Sequence, residues 1–376
     1  MDLFSNMIAA VTWQNMVMVF VGAFLLYLSI EKNFEPTLLL PMGFGTILVN
    51  LPLSSAIDQM AGTEVVEGAL SMMFRMGIAT EILPLLILIA VGAMCDFGPL
   101  LANPKVFLFG IAAQMGIFLT MGIALLLGFD VYEAASIGII GAADGPTSIY
   151  VSSRFAPHLL GPISVAAYTY MALVPMIQPP VIMAITTEKE RRMRMPAPTR
   201  TVTKRAKIFF PIAITILGGL IAPASVSLLG FVMFGNLLRE SGVTERLSQA
   251  AQNELANIVT ILLGFSISAT MTGEKFVNTS TLIIIAMGLV AFVLDTAGGV
   301  FTAKALNLFL PAGKKINPMV GAAGISAFPM SARTIQKMGQ RADPSNYLLM
   351  HAVGANVAGQ IGSVLAGGVL LAYLGG

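Results

Sequence analysis

Charge is scarce in this 376-residue chain: 11% of its residues are charged and 56% are hydrophobic, where an ordinary soluble domain is roughly 25% charged. So few charges could not cover the surface of a water-soluble enzyme of this size, and that class is excluded. A single cysteine, Cys95, rules out a disulfide framework and any cysteine-based zinc cluster. Two histidines, His158 and His351, have no cysteine or carboxylate at ligand spacing and argue against a dedicated transition-metal site. No basic face interleaved with aromatics is present, so nucleic-acid binding is excluded as a main role. The opening Met1-Asp2-Leu3-Phe4-Ser5 lacks the positive segment of a cleaved signal peptide, so the first hydrophobic run is expected to stay in the mature protein. The net charge of +2 says little, because the position of each charge matters more than the sum.

What the chain has instead is long apolar runs, several exceeding the roughly 18 residues that mark a membrane-spanning helix. Polar punctuation divides them into Asn15 to Ile30, Thr37 to Leu51 (broken by Pro41, Gly43 and Gly45), an amphipathic piece from Thr63 to Gly77, then Glu81 to Met94, Val106 to Gly128, Ala134 to Val151 and Leu159 to Ile185. The segment Thr186 to Lys207 is strongly basic, and the positive-inside bias places it in the cytoplasm. Beyond it the same grammar returns: Ile208 to Leu229 with internal Gly and Pro, a polar amphipathic piece, then Leu255 to Met271, Thr281 to Leu310, Met319 to Ala332 and Tyr347 to Leu374.

The fold class this implies is an all-α polytopic membrane protein of about eleven spans. It divides into a leading helix over 1–35, a first repeat over 36–185, the basic cytoplasmic loop 186–207 and a second repeat over 208–376. With about five spans per unit, an odd number, the two units insert in opposite orientations, as in many transporters built from inverted repeats with broken helices. Corresponding runs share a short string, Gly141-Ala142-Ala143-Asp144-Gly145 in one and Gly321-Ala322-Ala323-Gly324-Ile325 in the other.

Polar residues inside apolar runs are the informative ones. Asp144 sits mid-run beside Gly141, Gly145 and Pro146. A carboxylate at that depth costs at least about 2.5 kcal/mol, so it faces a cavity or pairs with a cation. Gly and Pro free backbone carbonyls that can serve as ligands of a hard cation. Such a break suits Na⁺ or H⁺; the alternative is a kinked helix whose acid is protonated or paired. The second run, Asn317 to Arg333, adds neutral oxygens at Asn317 and Ser326, although Ser326 can equally bond back along its own helix. Asn356 and Gln360 lie in a Gly/Ala-rich span whose glycines are accounted for by close helix packing, which leaves the amides unexplained. Tyr168 and Tyr170 lie well inside their run, as cation ligands and proton donors or as packing. Arg333 could clamp an anionic carboxylate or merely anchor a helix end. Asp295 is a secondary candidate.

The strings Gly141 to Ile149, Tyr168-Thr169-Tyr170 and Asn317 to Arg333 resemble the β subunit of the Na⁺-transporting carboxylic acid decarboxylases, over nearly the whole chain and in matching order. The family comprises oxaloacetate, methylmalonyl-CoA and glutaconyl-CoA decarboxylases. The resemblance implies a multi-pass protein of the bacterial cytoplasmic membrane that decarboxylates carboxybiotin and couples this to Na⁺ export. It implies partners too: a biotin carrier protein bearing the carboxybiotin, a carboxyltransferase α subunit and a small membrane-anchoring γ or δ subunit, with the chain a homo-oligomer within the complex. By the same resemblance Asp144, Tyr170, Asn317, Gly321, Ser326 and Asn356 hold Na⁺, Asp144, Tyr168, Tyr170 and Arg333 are catalytic, and Arg333 and Ser326 meet the carboxybiotin. A compact N-terminal part leans toward the acyl-CoA branch. The rival reading is a Na⁺-coupled secondary transporter, either a Na⁺/H⁺ antiporter or a Na⁺/solute symporter.

Overall fold

The computed structural model describes residues 10–61, 64–196 and 201–375. Met1 to Ser5, Thr63 and Arg200 lie outside the described residues. Helix dominates. The first four helices are α1 (Trp13–Lys32), α2 (Pro36–Asn50), α3 (Ala69–Gly77) and α4 (Ile82–Met94). A kinked pair follows, α5 (Phe107–Ala113) and α6 (Met115–Leu126). Then come α7 (Val131–Gly138), α8 (Gly145–Phe155) and α9 (Leu160–Ile185). Past the basic loop lie α10 (Lys204–Ile221), α11 (Val226–Glu240), α12 (Ala256–Ser268) and α13 (Thr279–Phe309). The chain closes with α14 (Pro318–Ala322), α15 (Met330–Ala342) and α16 (Leu349–Leu374).

Among the described residues, five helices are long and apolar enough to cross a membrane, and a sixth span is added if α3 and α4, bent by 63°, count as one. The molecule is thus a polytopic helical membrane protein, with fewer clear spans than the eleven expected, because Gly and Pro cut several apolar runs into helices too short to cross alone. The described residues agree with an all-α membrane protein, with one small strand pair added. The start of the piece read as amphipathic is a small antiparallel hairpin, β1 (Gln59–Ala61) with β2 (Glu64–Val66), and α3 follows it. Short β-branched Val65-Val66 between polar residues favours extended backbone there.

Helix starts follow local chemistry. Thr12, Thr203 and Asn278 cap α1, α10 and α13 by accepting a backbone N–H. Asp130 and Glu133 form a reciprocal capping box at α7. Glu133 also pairs with His158 at 2.9 Å.

The packing is reciprocal between the halves. Helix α9, which closes the first half, lies on α13 of the second; α16, which closes the second, lies on α5 of the first. Likewise α9 touches α15 and α16 touches α8. The two interrupted helices meet in the middle of this cross-packing.

The basic loop is seated against the second half. Asn317 Nδ2 donates to the carbonyls of Arg191 (3.0 Å) and Met193 (2.8 Å), and Asn346 Nδ2 donates to the same two oxygens. Ion pairs from Arg194 to Asp343 (2.6 Å) and Lys304 to Glu190 (3.1 Å) complete the seat.

Candidate functional site

The first interrupted helix breaks in a few residues. After α7 the chain tightens into a 3₁₀ turn over Ile139–Ala142, and Ala143 takes a left-handed φ of 53°. A non-glycine residue there costs roughly 1–2 kcal/mol, strain that is tolerated only where the surroundings over-determine it. Asp144 is extended and caps α8, with Gly145-Pro146 as the first helical residues, where a missing proline N–H does no harm.

Capping places the Asp144 carboxyl inside the protein, 3% exposed. Its Oδ1 accepts the Thr147 N–H at 3.3 Å. Its Oδ2 accepts three donors at 2.8 Å each: Thr147 Oγ1, Gln360 Nε2 and Ser363 Oγ. All four donors are neutral, so they solvate the carboxylate without balancing its charge. Two of them come from α16, in the other half of the chain.

The second break lies against the first. The Ser326 N–H donates to the Ala142 carbonyl at 3.0 Å, a backbone bond joining the two interruptions. Ser326 Oγ donates to the Gly359 carbonyl at 2.8 Å, not along its own helix. Asn356 Nδ2 donates to the Ile325 carbonyl at 2.6 Å. On α16, Asn356, Gly359, Gln360 and Ser363 recur at three- and four-residue intervals, one helical stripe facing both breaks. Gly359 is needed for the approach, since a Cβ there would stand 2.1 Å from the Gly324 carbonyl oxygen. Two acceptors around this crossing have no partner, Asn356 Oδ1 and Gln114 Oε1; Gln114 Nε2 donates to the Gly110 carbonyl at 2.9 Å.

The tyrosines do not act as a neighbouring pair, because residues two apart on a helix face different ways. The ring of Tyr168 lies on Gly145, where a Cβ would come within 2.3 Å of its Cζ, beside Asp144. Tyr170 lies on the other flank, against Ile140 and Gly288, and its hydroxyl donates to the Ile285 carbonyl.

The structure therefore gathers Asp144, Ser326, Asn356 and Tyr168 around one crossing, with Tyr170 at its edge. Gly321 packs its backbone on Gly299 of α13 instead. Asn317 caps α14 and holds the basic loop, apart from Asp144. Arg333 is exposed on the first turn of α15. Sequence reasoning overlooked Ser363, Gln114 and Gln178. Gln178 Nε2 donates to the Ala322 carbonyl (2.8 Å) and to Ser331 Oγ (2.9 Å) at the second break. A lone amide or hydroxyl inside an apolar helix was the available signal, since such a group seeks a partner from a neighbouring helix.

These features define a class: a polytopic helical membrane protein with a buried acid where two broken helices cross. The family described as the Na⁺-transporting oxaloacetate decarboxylase beta subunit matches residues 14–374. The glutaconyl-CoA decarboxylase subunit beta of Acidaminococcus fermentans is 53% identical over 367 residues, 98% of this chain and 95% of that protein. The methylmalonyl-CoA decarboxylase subunit beta of Veillonella parvula is 52% identical, over 97% of this chain and 94% of that one. The oxaloacetate decarboxylase beta chain 2 of Salmonella typhi is 47% identical, over 95% and 94% respectively. The chain belongs to the family of β subunits of the Na⁺-transporting carboxylic acid decarboxylases. It is the membrane subunit of such a decarboxylase rather than a free-standing secondary transporter, and so one chain of a multi-subunit complex.

Proposed function

We propose that this chain decarboxylates carboxybiotin delivered by a partner biotin carrier and uses the reaction to export Na⁺ through the crossing of its two broken helices. The observation that carries the reading is the Asp144 carboxyl, buried and held only by neutral donors drawn from both halves of the chain. A monovalent cation supplies the missing charge. Ser326 and Asn356 bring the second break to the same place, and the unpaired Oδ1 of Asn356 is an acceptor available to such an ion. Na⁺ is cargo here, and the carboxybiotin is substrate carried by another chain.

Moving one charge against 100 mV costs about 2.3 kcal/mol, so decarboxylation must be gated by ion occupancy for its energy not to be lost. Carboxybiotin is acid-labile, and delivery of a proton sets its CO₂ free. In this reading Arg333, exposed at the start of α15, receives the anionic carbamate at the cytoplasmic end, the side that the positive-inside bias of the loops supports. Tyr168 beside Gly145, and Tyr170 across the break, are the proton donors of the scheme. In this reading Asn317 and Gly321 support the ion site through the loop and through α13 rather than by ligation.

The inverted-repeat reading, with its bounds at 36–185 and 208–376, is supported by the reciprocal packing of α9 on α13 and α16 on α5, and about eleven spans remain part of the same proposal. The substrate of the whole complex is proposed to be an acyl-CoA such as those named for the glutaconyl-CoA and methylmalonyl-CoA relatives, whose identities exceed that of the oxaloacetate relative. The complex would sit in a bacterial cytoplasmic membrane with a carboxyltransferase α subunit and a small anchoring subunit. Carboxybiotin-driven, avidin-sensitive Na⁺ uptake into inverted vesicles tests the proposal. Asp144→Asn should abolish uptake and Na⁺-dependent decarboxylation together, and full pumping by this variant would refute it. Arg333→Ala should impair carboxybiotin use more than Na⁺ affinity.

A further inference from the structure

Asp295 lies near the middle of α13 and is fully buried, and neither of its carboxyl oxygens has a hydrogen-bond partner. It is gripped from two sides. A Cβ built on Gly116 of α6 would stand 2.0 Å from Oδ1, and one on Gly141 would stand 2.3 Å from Oδ2. The first break and the kinked α5/α6 pair thus close their backbones directly over the acid.

Nothing around it offers a balancing charge. Helices α5, α6, α9 and α14 and the 139–142 turn all pack on α13, and their sequences contain no Asp, Glu, Lys, Arg or His. Helix α7 brings only Glu133, which is paired with His158. The other titratable groups on these elements are Tyr132 of α7 and Tyr168 and Tyr170 of α9. On α13 itself Lys304 is engaged by Glu190. The backbone closes so tightly on the carboxyl that the oxygen shell of a metal cation has no room on the Gly116 and Gly141 sides. A proton needs none, and a neutral acid is the form that such surroundings hold at least cost.

Asp144 and Asp295 therefore flank one short segment in opposite circumstances. Asp144 has four donors and is solvated as an anion, while Asp295 has beside it only the backbone N–H groups of Gly116 and Ile117, neither of them in hydrogen-bond geometry. Two carboxyls whose environments differ in this way divide into a charged and a proton-bearing group. The segment Gly141 to Asp144 links them, touched by Asp295 at one end and carrying the ion-site acid at the other.

We propose that Asp295 is a proton-binding site of the transport machinery, which holds one proton while the cation site at Asp144 is empty and releases it when that site fills. In the release the Asp295 O–H bond breaks, its electron pair stays on the carboxylate and the proton passes to water. The proposal rests on the reading of Asp144 as the Na⁺ site. Because such linkage is reciprocal, the proton weakens Na⁺ binding as much as Na⁺ weakens proton binding.

The test uses the purified full chain in detergent, in weakly buffered solution with a pH indicator, titrated with NaCl against choline chloride. The unaltered chain should release protons on adding Na⁺, and its apparent Na⁺ affinity should fall by about tenfold per unit as pH is lowered. Asp295→Asn imitates the protonated acid, so it should bind Na⁺ at the weak, low-pH affinity at every pH and release no proton. The same proton release and pH slope as in the unaltered chain would overturn the proposal. Asp144→Asn separates the two readings. Unimpaired Na⁺ binding in that variant removes the ion-site reading itself and this proposal with it, whereas loss of Na⁺ binding there with unchanged proton release in Asp295→Asn removes this proposal alone. Should Asp295→Asn not fold, infrared spectra of the Na⁺-free chain decide. A protonated-carboxyl band from ¹³C-labelled aspartate must be present and must persist in Asp144→Asn, and its absence overturns the assignment.

Discussion

Gln360 donates from its Nε2 to Asp144 Oδ2 at 2.8 Å across 216 residues of sequence. Its counterpart is Gln178, which closes the first half as Gln360 closes the second and bonds Ala322 and Ser331 at the other break. Each half thus lends one amide to the interruption of the other, so neither break is held by its own half alone.

Removing the Gln360 amide should therefore weaken both fold and ion site. A hydrogen bond to a charged group contributes about 1.5–3 kcal/mol, or about 10- to 100-fold in an equilibrium constant. Gln360→Leu should raise the Na⁺ concentration for half-maximal decarboxylation by about that factor. Ser363→Ala, which removes one of three donors on the same oxygen, should fall at the lower end. A Na⁺ titration of carboxybiotin decarboxylation reads both, and an unchanged half-point in Gln360→Leu would show that the amide does not set ion affinity.

Asn317 and Asn356 are expected to part company. Asn317 accepts the Met319 N–H as the cap of α14 and donates to the loop carbonyls of Arg191 and Met193. Asn317→Ala should lower thermal stability, with about 0.5–2 kcal/mol lost from the cap alone, and loosen the loop to proteolysis. Asn356→Ala should change the Na⁺ half-point more than Asn317→Ala does. The reverse order would return Asn317 to the ion site.

Gly145 and Tyr168 should be energetically coupled. A methyl at 145 meets the phenol ring at 2.3 Å, and such overpacking costs typically about 1–3 kcal/mol. Gly145→Ala should lower the melting temperature, and Tyr168→Ala added to it should recover part of the loss. Strict additivity in the double-mutant cycle would show that the ring moves aside freely.

Much of this architecture was legible in the sequence. Apolar runs gave most helices to within a few residues, and Gly141 to Pro146 announced a break because a carboxylate between Gly and Pro has no use in an uninterrupted span. The hairpin before α3 was not legible, since two three-residue strands leave no usable period. Partner choice was beyond sequence as well. Asn317 and Asn356 carry the same side chain, and only the cross-packing of α16 on the first half decides that the second reaches the crossing. Gln178 was hidden for the same reason, because its partners lie 144 and 153 residues further along the chain.

The seat of the basic loop has a pH dependence of its own. Arg194 beside Asp343, at 2.6 Å, together with the Ser345 N–H at 3.0 Å, holds the Asp343 carboxyl below its ordinary value of 3.8. A carboxyl lowered in the folded state adds stability above its unfolded pKa and loses it as pH falls through the folded one. The contact should therefore be complete at neutral pH, still largely present near pH 4, and lost only in stronger acid. Hydrogen exchange of the Arg191 to Met195 amides, corrected for the intrinsic pH dependence of exchange, measures this directly. Arg194→Ala should remove the acid step with little change at pH 7, because an exposed ion pair contributes little by itself and the Asn317 and Asn346 amides still hold the loop carbonyls. A step that survives in Arg194→Ala would assign the acid dependence to another group at the seat, with Glu190 beside Lys304 the next to examine.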